Sequence, residues 1–360
     1  MDAYKIALSA GDTVGEELIC QVRKLFRAVE RKYDARFELV EIVSCGPAVE
    51  QYGTALRAED ISAAADCRAI LFGNIGSGKN YGPEKEKSSV YALTTMRKAF
   101  NVCANIRPAY ISAAFASLSP LRPEIIQKGL DILVVRDLMG GMIAGERHQQ
   151  EGPGGREASD LEYYNEQIIA RSARFAYASA MERRRKVTSV DKANVLASSK
   201  LWRQKVSEMQ ADFQTVELTH DYVDHMAMEL LAAPEKFDVL LASNVFGDIL
   251  SDEIAQITGA PWMFGSAELA EDGRGVYTPN QLHHPRGDEL VGKGAICPYG
   301  ILDAVSLLLR YSCGRPDLAA KVDEAIKQTL EKHLFTAEAV PDGGVIVSTD
   351  ELGSEVAAAI

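Results

Sequence analysis

Two aspartates, Asp248 and Asp252, lie four residues apart in residues 244–253. On a helix, this spacing places both carboxylates on one face, one turn apart. The preceding apolar run, residues 237–242, predicts a buried strand of a parallel sheet, and the step at Gly247 predicts the turn into a helix. Because open α/β sheets bind ligands at the carboxyl ends of strands, the pair is a candidate site for a divalent metal ion. A solvated acidic helix start, favoured by the helix dipole alone, is the alternative.

Length and composition indicate a globular protein with two lobes. The 360 residues exceed the size at which a single core usually stops growing, and 47% are apolar and 25% charged. No apolar stretch is long enough to span a membrane, and residues 1–5 lack the basic start of a signal peptide, so we expect a cytoplasmic protein with no membrane partner. The net charge of −12, without a basic block, argues against nucleic acid as a partner.

The six cysteines show neither C-x-x-C spacing nor a zinc-finger pattern with histidine. They are Cys20, Cys45, Cys67, Cys103, Cys297 and Cys313. We expect all of them to be reduced thiols in the core.

Short apolar segments alternate with segments of helical pattern, which is typical of the α/β class. The predicted strands are residues 4–9, 37–43, 67–72, 132–137, 187–190 and 237–242. The predicted helices include residues 58–65, 166–184, 300–311 and 318–333. A glycine turn at 11–17 follows the first strand, but the G-x-G-x-x-G spacing is absent, so the sequence does not predict a Rossmann dinucleotide site.

Polar segments interrupt this alternation. Residues 148–160 are rich in Gly, Gln and Glu and are expected to form an exposed excursion. Residues 268–293 contain clustered Gly, Pro and His and are expected to form a loop. The basic run at residues 183–186 is best explained as a partner of the negative end of a helix dipole, rather than as a nucleic-acid contact.

Motif segments in four parts of the chain resemble those of the β-decarboxylating dehydrogenases. The segments are Ala104-Asn-Ile-Arg-Pro108, Val187-Thr-Ser-Val-Asp-Lys-Ala-Asn-Val195, Asn244-Val-Phe-Gly-Asp-Ile-Leu-Ser-Asp252 and Gly292-Lys-Gly294. This family includes 3-isopropylmalate, isocitrate and tartrate/D-malate dehydrogenases, and the resemblance extends in order over essentially the whole chain. The isopropylmalate branch is the closest.

The resemblance implies an α/β, two-lobed isopropylmalate dehydrogenase-like fold with non-Rossmann dinucleotide binding. The first, cofactor-binding lobe would comprise residues 1–102 and 259–360, and the second would comprise residues 103–258, with the site in the cleft between them. Residues near 148–160 would form part of an arm that reaches a partner subunit. The protein would be a homodimer with shared active sites.

The reaction implied by the resemblance is oxidation of a 3-substituted malate or a related 2-hydroxy diacid. A hydride leaves C2 for NAD, and the β-keto acid then loses CO₂ to form an enolate that Mg²⁺ or Mn²⁺ stabilises. Three arginines, Arg97, Arg107 and Arg136, align with those that clamp the malate carboxylates, a task suited to the guanidinium fork.

The remaining polar positions align with the metal ligands and the base. Asp248, Asp252 and Asp224 align with the metal carboxylates, Asp224 being supplied by the partner subunit in family members. Lys192, also from the neighbour, aligns with the lysine that takes the C2 hydroxyl proton, and a lowered pKa would let it act as a base. Asp191 is expected to orient the site.

The resemblance places the adenosine at the loop before Gly292-Lys-Gly294. Glu289 falls where NAD-using members have an Asp that accepts from the ribose hydroxyls, and a carboxylate there repels a 2′-phosphate, so NAD is favoured. The loop is about three residues longer than in the family, however, and carries Arg286, which could instead meet a phosphate. The cofactor-binding positions so implied are Glu289, His284, Asn244, Leu290 and Cys297.

Two departures from the family concern the substrate. Ile143 replaces the tyrosine that protonates the enol after CO₂ leaves, and an alkyl side chain donates no proton. In the substrate helix, isopropylmalate enzymes carry a Glu that faces the nicotinamide and two Leu that hold the isopropyl group. The matching positions here are Val90, Leu93 and Thr94, with Tyr91 where isocitrate enzymes have Ser. The pocket therefore matches neither standard type.

Three hypotheses remain open from the sequence. The first is an active dehydrogenase that decarboxylates an unusual 3-substituted malate. The second is oxidation without the usual enol protonation or without decarboxylation. The third is a non-catalytic regulatory subunit of a related dehydrogenase, against which the retained arginines, aspartates and Lys192 argue.

Overall fold

The structure, a computed structural model, describes residues 3–77, 79–284 and 286–360. The chain divides into two compact units. The first unit consists of Met1–Val102 and Pro261–Ile360, and the second consists of Cys103–Ala260.

The first unit begins with an alternation of strands and helices. Its elements are β1 (Ala3–Gly11), α1 (Gly15–Lys32), β2 (Arg36–Glu41), α2 (Cys45–Tyr52), α3 (Ala58–Ala65), β3 (Ala69–Asn74) and α4 (Ser89–Phe100). β3 is buried along its whole length, as its apolar sequence requires. Leu18, Val22, Leu25 and Val29 recur every three to four residues of α1 and are all buried. This apolar stripe explains why α1 packs against the sheet.

The second unit contains the following elements. They are β4 (Ala104–Ile111), α5 (Pro123–Ile126), β5 (Leu130–Asp137), α6 (Gly141–Ala144), β6 (Arg147–Gly152), β7 (Gly155–Asp160), α7 (Glu166–Met181), β8 (Lys186–Asp191), α8 (Ala197–Met209), β9 (Glu217–Tyr222), α9 (Val223–Ala232), β10 (Val239–Ala242) and α10 (Asn244–Ile257). The strand order is β4-β5-β10-β8-β9. β4 is antiparallel to β5, and the other neighbours are parallel. The carboxyl ends of β5, β8 and β10 therefore point the same way.

The chain then returns to the first unit. The elements are β11 (Gly265–Leu269), β12 (Gly275–Pro279), α11 (Gly287–Leu290), α12 (Tyr299–Tyr311), α13 (Pro316–Glu331), β13 (Leu334–Phe335), β14 (Val345–Ile346) and α14 (Thr349–Ala359). Strands of this unit follow the order β2-β1-β3-β12-β11, with only the β11–β12 pair antiparallel among them. α12 is buried almost throughout and forms the centre of the helical layer.

Several sequence predictions need correction. α10 begins at Asn244 rather than after Gly247, because the chain enters the helix directly from β10. The predicted loop at 268–293 starts too early, since β11 and β12 form an antiparallel hairpin that extends to Pro279. Cys20 is exposed, whereas the other five thiols are buried, and all six cysteines are free.

The basic run after α7 has hydrogen-bond partners that the sequence did not predict. Arg183 donates from Nε to Asp238 at 2.8 Å and from Nη2 to Asp131 at 2.8 Å. Arg184 donates to the carbonyl oxygen of Glu235 at 3.1 Å. The arginines therefore fix the segments around β5 and β10 and do more than complement a helix dipole.

None of the helices in the described residues is long and apolar enough to cross a membrane.

Two buried carboxyls predict how stability depends on pH. Burial raises the pKa of Asp137 to about 7 and that of Asp303 to about 7. The folded chain therefore keeps protons that the unfolded chain loses, and the free energy of unfolding should fall between about pH 4 and 7, by up to about 1.4 kcal/mol per pH unit for each group.

Asp137→Asn should flatten that decline, because it removes one of the two titrations. Asp137 accepts from the backbone N–H groups of Met139 at 3.1 Å and Gly140 at 2.7 Å, and an amide oxygen can accept both. Urea unfolding at pH 5, 6, 7 and 8 measures the slope, with the exposed Asp66→Asn as the control. An unchanged slope in Asp137→Asn would contradict the assignment.

Candidate active site

The acidic pair on α10 lies beside two of the predicted substrate arginines. Arg107 Nη1 is 3.1 Å from Asp252 Oδ1, and Arg107 Nη2 is 3.8 Å from Asp248 Oδ1. Arg136 also forms an ion pair with Asp248 through Nη1. Desolvation and the nearby Asp248 raise the pKa of Asp252, while Arg107 opposes the shift. The structure thus brings together four predicted residues from β4, β5 and α10.

The side chain of Arg136 is held by hydrogen bonds to Asn244. Asn244 Oδ1 accepts from Arg136 Nε at 3.1 Å and from Nη2 at 2.8 Å, and Asn244 Nδ2 donates to the carbonyl oxygen of Gly140 at 3.0 Å. The Tyr164 hydroxyl accepts from the Asn244 backbone N–H at 2.9 Å. Asn244 is buried. Its amide is therefore engaged in orienting Arg136.

Two glycines make this arrangement possible. A Cβ on Gly247 would lie 2.7 Å from Cβ of Arg136, and one on Gly140 would lie 2.4 Å from the Tyr164 ring. Both approaches are too close for a side chain. The Gly247-Asp248 step therefore lets α10 lie directly against Arg136, and this contact sets the position of Asp248.

Asp248 and Asp252 fit one side of a divalent-metal site. Carboxylate oxygens are the donors that Mg²⁺ prefers, and the two side chains are 44% and 69% exposed. Asp224 lies elsewhere in the same chain, paired with Lys192. Across residues 3–77, 79–284 and 286–360, no group of three or more acidic, histidine or cysteine side chains could hold a metal within one chain.

Lys192 follows β8, and its amino group pairs with Asp224 at the start of α9. The hydrogen bond from Lys192 lowers the pKa of Asp224. Asp191, the last residue of β8, is buried and accepts from Arg203 Nε at 2.8 Å, from Arg203 Nη2 at 2.9 Å and from the Ala193 N–H at 2.9 Å. Asp191 therefore fixes the turn that carries Lys192.

Arg97, the third predicted substrate arginine, lies in the first unit on α4. Its Nε donates to Glu268 Oε2 at 2.7 Å, and Nη2 donates to Glu268 Oε1. Glu268 was not predicted as a site residue because the sequence placed it in a loop. The available signal was a single carboxylate among apolar and small residues at 263–270. Every residue of β11 is buried in the structure.

The predicted positions of the substrate helix, α4, differ in exposure. Leu93 is buried, Thr94 is half-buried and Val90 is exposed. The Thr94 hydroxyl donates to the carbonyl oxygen of Val90 at 2.9 Å, one turn earlier. The isoleucine at position 143 lies in α6 and is 41% exposed.

Two of the five predicted cofactor residues, His284 and Cys297, line a cavity in the first unit, whereas Asn244 belongs to the second unit. The lining of this cavity includes Asn74, Trp262, His284, Cys297 and Glu338. His284 Nε2 pairs with Glu338, which also accepts from the Cys297 backbone N–H at 2.9 Å.

The two predicted cofactor-binding positions on α11 differ in exposure. Leu290 is buried, whereas Glu289 is exposed and accepts from Arg286 Nε at 2.9 Å. The charge of Arg286 is therefore offset locally by Glu289.

Comparison with known proteins gives relatives over the whole chain. A family model described as isocitrate/isopropylmalate dehydrogenase matches residues 5–356. The 3-isopropylmalate dehydrogenase of Clostridium pasteurianum is 39% identical over 356 residues, covering 99% of this chain and 99% of that protein. The 3-isopropylmalate dehydrogenase of Photorhabdus laumondii is 41% identical and covers 98% of this chain and 97% of its own.

Solved structures share the fold. The isocitrate dehydrogenase from Methylococcus capsulatus matches with a TM-score of 0.82 and 24% identity over 99% of both chains, a similarity that concerns fold alone. The apo β-decarboxylating dehydrogenase from Thermococcus kodakarensis matches with a TM-score of 0.76 and 26% identity, covering 99% of this chain and 96% of that one.

Proposed function

Because this chain belongs to the isocitrate/isopropylmalate dehydrogenase family and is an NAD-dependent oxidative decarboxylase of that type, we propose that its substrate is a 3-substituted malate or a related 2-hydroxy diacid. The observation that carries this proposal is the cluster of Arg107, Arg136, Asp248 and Asp252. It combines forks for carboxylates with hard oxygen donors for a divalent cation.

The residues that form the ion pairs of this cluster can bind both a divalent cation and a dicarboxylate. Each aspartate is paired with a guanidinium, so a cation at the aspartates and a dicarboxylate at the arginines can replace the internal pairs without leaving a charge unpaired. Arg136 keeps its direction during this exchange because Asn244 holds its Nε and Nη2 edge. We therefore assign Asn244 to the support of Arg136 rather than to the cofactor.

The chemistry requires a base, a cation and a hydride acceptor. Lys192 removes the C2 hydroxyl proton, and Asp191 positions Lys192 by fixing the turn that carries it. When bound, NAD accepts the C2 hydride, and Mg²⁺ or Mn²⁺ supplies positive charge that stabilises the developing alkoxide and enolate. Asp248 and Asp252 would hold the cation, with Asp224 of a second copy as a third carboxylate. The protein would thus act as a homodimer with shared active sites.

We propose NAD rather than NADP as the physiological cofactor. Glu289 is exposed, and its carboxylate would repel a 2′-phosphate while accepting from ribose hydroxyls. Arg286 is paired with that same carboxylate, which weakens its attraction for a phosphate. His284, Leu290 and Cys297 would complete the adenosine site. We also propose a cytoplasmic location, since all six thiols are free.

A panel of C3-substituted malates tests the proposal. Each would be assayed with NAD and with NADP, with and without Mg²⁺, by following NADH or NADPH formation and CO₂ release. We expect metal-dependent NADH formation with at least one substrate, and a preference for NAD. Inactivity with every substrate would instead favour a regulatory subunit, and NADH formation without CO₂ would indicate oxidation alone.

Ile143→Tyr tests the protonation step. A positioned general acid typically contributes about 10²- to 10⁴-fold, so a tyrosine at position 143 should speed product protonation or leave the overall rate unchanged if hydride transfer limits it. NADH formation itself should not require the change. Rapid-mixing measurements of NADH, CO₂ and keto acid on a small malate distinguish these steps. If the wild type is fast in every step and Ile143→Tyr destroys activity, then residue 143 contacts the substrate's apolar substituent.

A further inference from the structure

Thr13, which follows β1, adopts a backbone conformation that its side chain disfavours. Its φ is +44°. The Gly15 N–H donates to the carbonyl oxygen of Asp12 at 2.9 Å, so Thr13 is the first central residue of a tight turn. A positive φ at this position is characteristic of type II′ turns, in which glycine is the usual residue. A β-branched residue there is strained, and strain of this kind clusters at functional sites.

The hydroxyl of Thr13 has a specific partner, Asn74, at the end of β3. Asn74 Nδ2 donates to Thr13 Oγ1 at 2.8 Å and to the carbonyl oxygen of Gly76 at 3.3 Å. Asn74 is 1% exposed, and its Oδ1 accepts from the His284 backbone N–H at 3.3 Å. The amide therefore uses both of its hydrogens and a carbonyl lone pair within the protein. It joins the strained turn to the backbone of His284.

Further contacts attach the residues before and after His284 to the same part of the first unit. The Ile75 N–H donates to the carbonyl oxygen of Leu282 at 2.9 Å, and His283 Nδ1 donates to the carbonyl oxygen of Ile75 at 2.6 Å. On the other side, a Cβ on Gly287 would lie 2.7 Å from Thr13 Oγ1. The chain around His284 therefore lies directly on the Thr13 side chain and on the end of β3.

His284 and Asn74 both line the cavity of the proposed cofactor site. The ring of His284 is anchored separately, by its pair with Glu338. Because Asn74 holds the backbone of His284 and Glu338 holds its ring, the protein itself fixes the position of His284 in the cavity.

Stability alone does not explain a threonine at this turn. Glycine takes a positive φ at no steric cost, so it would form the same turn without strain. What threonine adds is the hydroxyl that Asn74 binds. Thr13 is therefore better explained by what its hydroxyl does to Asn74.

We propose that Thr13 and Asn74 are positioning residues whose hydrogen bond fixes His284, and the cavity around it, for the binding of NAD. This inference rests on the proposed function, in which His284 belongs to the adenosine site. Thr13 acts through Asn74. The pair orders the wall of the cavity in advance, which lowers the entropy lost when NAD binds.

The test is a double-mutant cycle of Thr13→Val and Asn74→Ala, read by calorimetry as the Kd for NAD. Valine keeps the β-branched shape and removes the hydroxyl. Thr13→Val should weaken NAD binding roughly tenfold, the size of coupling found between residues in one hydrogen-bonded network. Thr13→Ser, which keeps the hydroxyl, should bind NAD as the wild type does. In the Asn74→Ala background, adding Thr13→Val should have no further effect.

Thr13→Gly separates affinity from stability. Because glycine adopts a positive φ without strain, this variant should unfold at the wild-type temperature or above it, yet bind NAD as weakly as Thr13→Val. Asn101→Gly is the matched control, since Asn101 also has a positive φ, +53°, in the first unit but lies at the end of α4. It relieves the same kind of strain and should leave the Kd for NAD unchanged.

Three results would overturn the inference. Wild-type affinity in a folded Thr13→Val variant would mean that the hydroxyl positions nothing that NAD needs. An equal effect of Thr13→Val with and without Asn74 would mean that it acts through the fold. A Thr13→Gly variant that unfolds at a lower temperature and binds NAD normally would mean that Thr13 serves stability alone.

Measuring dinucleotide binding by itself separates this inference from the proposed function. If the wild type binds NAD but oxidises no malate, the proposed substrate is wrong and the cycle is still decided on Kd. If it binds NADP in place of NAD, the proposed cofactor preference is wrong and the same cycle is read with NADP. If it binds neither dinucleotide, the inference is wrong, because His284 then holds no cofactor.

Discussion

Lys192→Met is expected to lower the rate of NADH formation by about 10²- to 10⁴-fold, the usual contribution of a positioned acid–base group. Hydride cannot leave C2 readily while the hydroxyl keeps its proton, and methionine removes the acceptor without shortening the side chain. The fold should persist, because Asp191 retains Arg203 and the Ala193 N–H as partners.

The control for this variant is Lys200→Met, an exposed lysine on the next helix. Steady-state rates with saturating NAD and Mg²⁺ measure the effect, and thermal unfolding verifies that both variants are folded. A wild-type rate in Lys192→Met would mean that another group takes the proton.

Asp248→Asn and Asp252→Asn are each expected to abolish metal-dependent turnover while the chain still folds. Hard divalent cations need anionic oxygens, so losing one carboxylate weakens both cation binding and stabilisation of the enolate. We expect kcat to fall by at least about 10²-fold and the Mg²⁺ or Mn²⁺ concentration needed for half-maximal activity to rise.

Glu253→Gln is the matched control, since Glu253 lies next to Asp252 on α10 but is not one of the aligned carboxylates. Turnover measured over a series of Mg²⁺ and Mn²⁺ concentrations gives both quantities. Unchanged turnover in either aspartate variant would remove that residue from the proposed metal site.

Mixing the Lys192→Met and Asp248→Asn proteins reports whether active sites are shared between subunits. In a mixed dimer, one site would combine the intact Asp248 of one chain with the intact Lys192 of the other. Activity should therefore reappear after subunit exchange, although each variant alone is inactive. Failure to regain activity in verified mixed dimers would place both residues in one chain's own site.

Local sequence patterns predicted the elements that carry the site. The apolar run at 237–242 predicted β10, the four-residue spacing of Asp248 and Asp252 predicted their placement one turn apart, and residues 58–65 form α3 as expected. These signals are local, because burial and hydrogen bonding repeat with the period of a strand or a helix. The start of α10 was misplaced because Asn244 is anchored by Tyr164, a residue 80 positions away.

The partners of the site residues were beyond sequence reasoning. The three arginines were identified from motifs, but nothing in the motifs indicated that Arg136 binds Asn244 or that Arg97 binds Glu268. Such pairs depend on how strands are ordered in a sheet, which periodicity does not specify. Glu268 was further hidden by the glycines that follow it, whose turn joins β11 to β12 rather than opening a long loop.

The β6–β7 hairpin has a consequence for how copies of this chain can meet. In the described residues it forms a separate two-stranded sheet, so its outer backbone N–H and C=O groups can accept an additional strand. Arg147 and Asp160 face each other at one end, and Glu151 and Arg156 near the other. A strand added in the wrong register would place like charges opposite each other. If a strand of a second copy were added to this hairpin, its charged residues would therefore favour one alignment over the others and would oppose indiscriminate edge-to-edge aggregation.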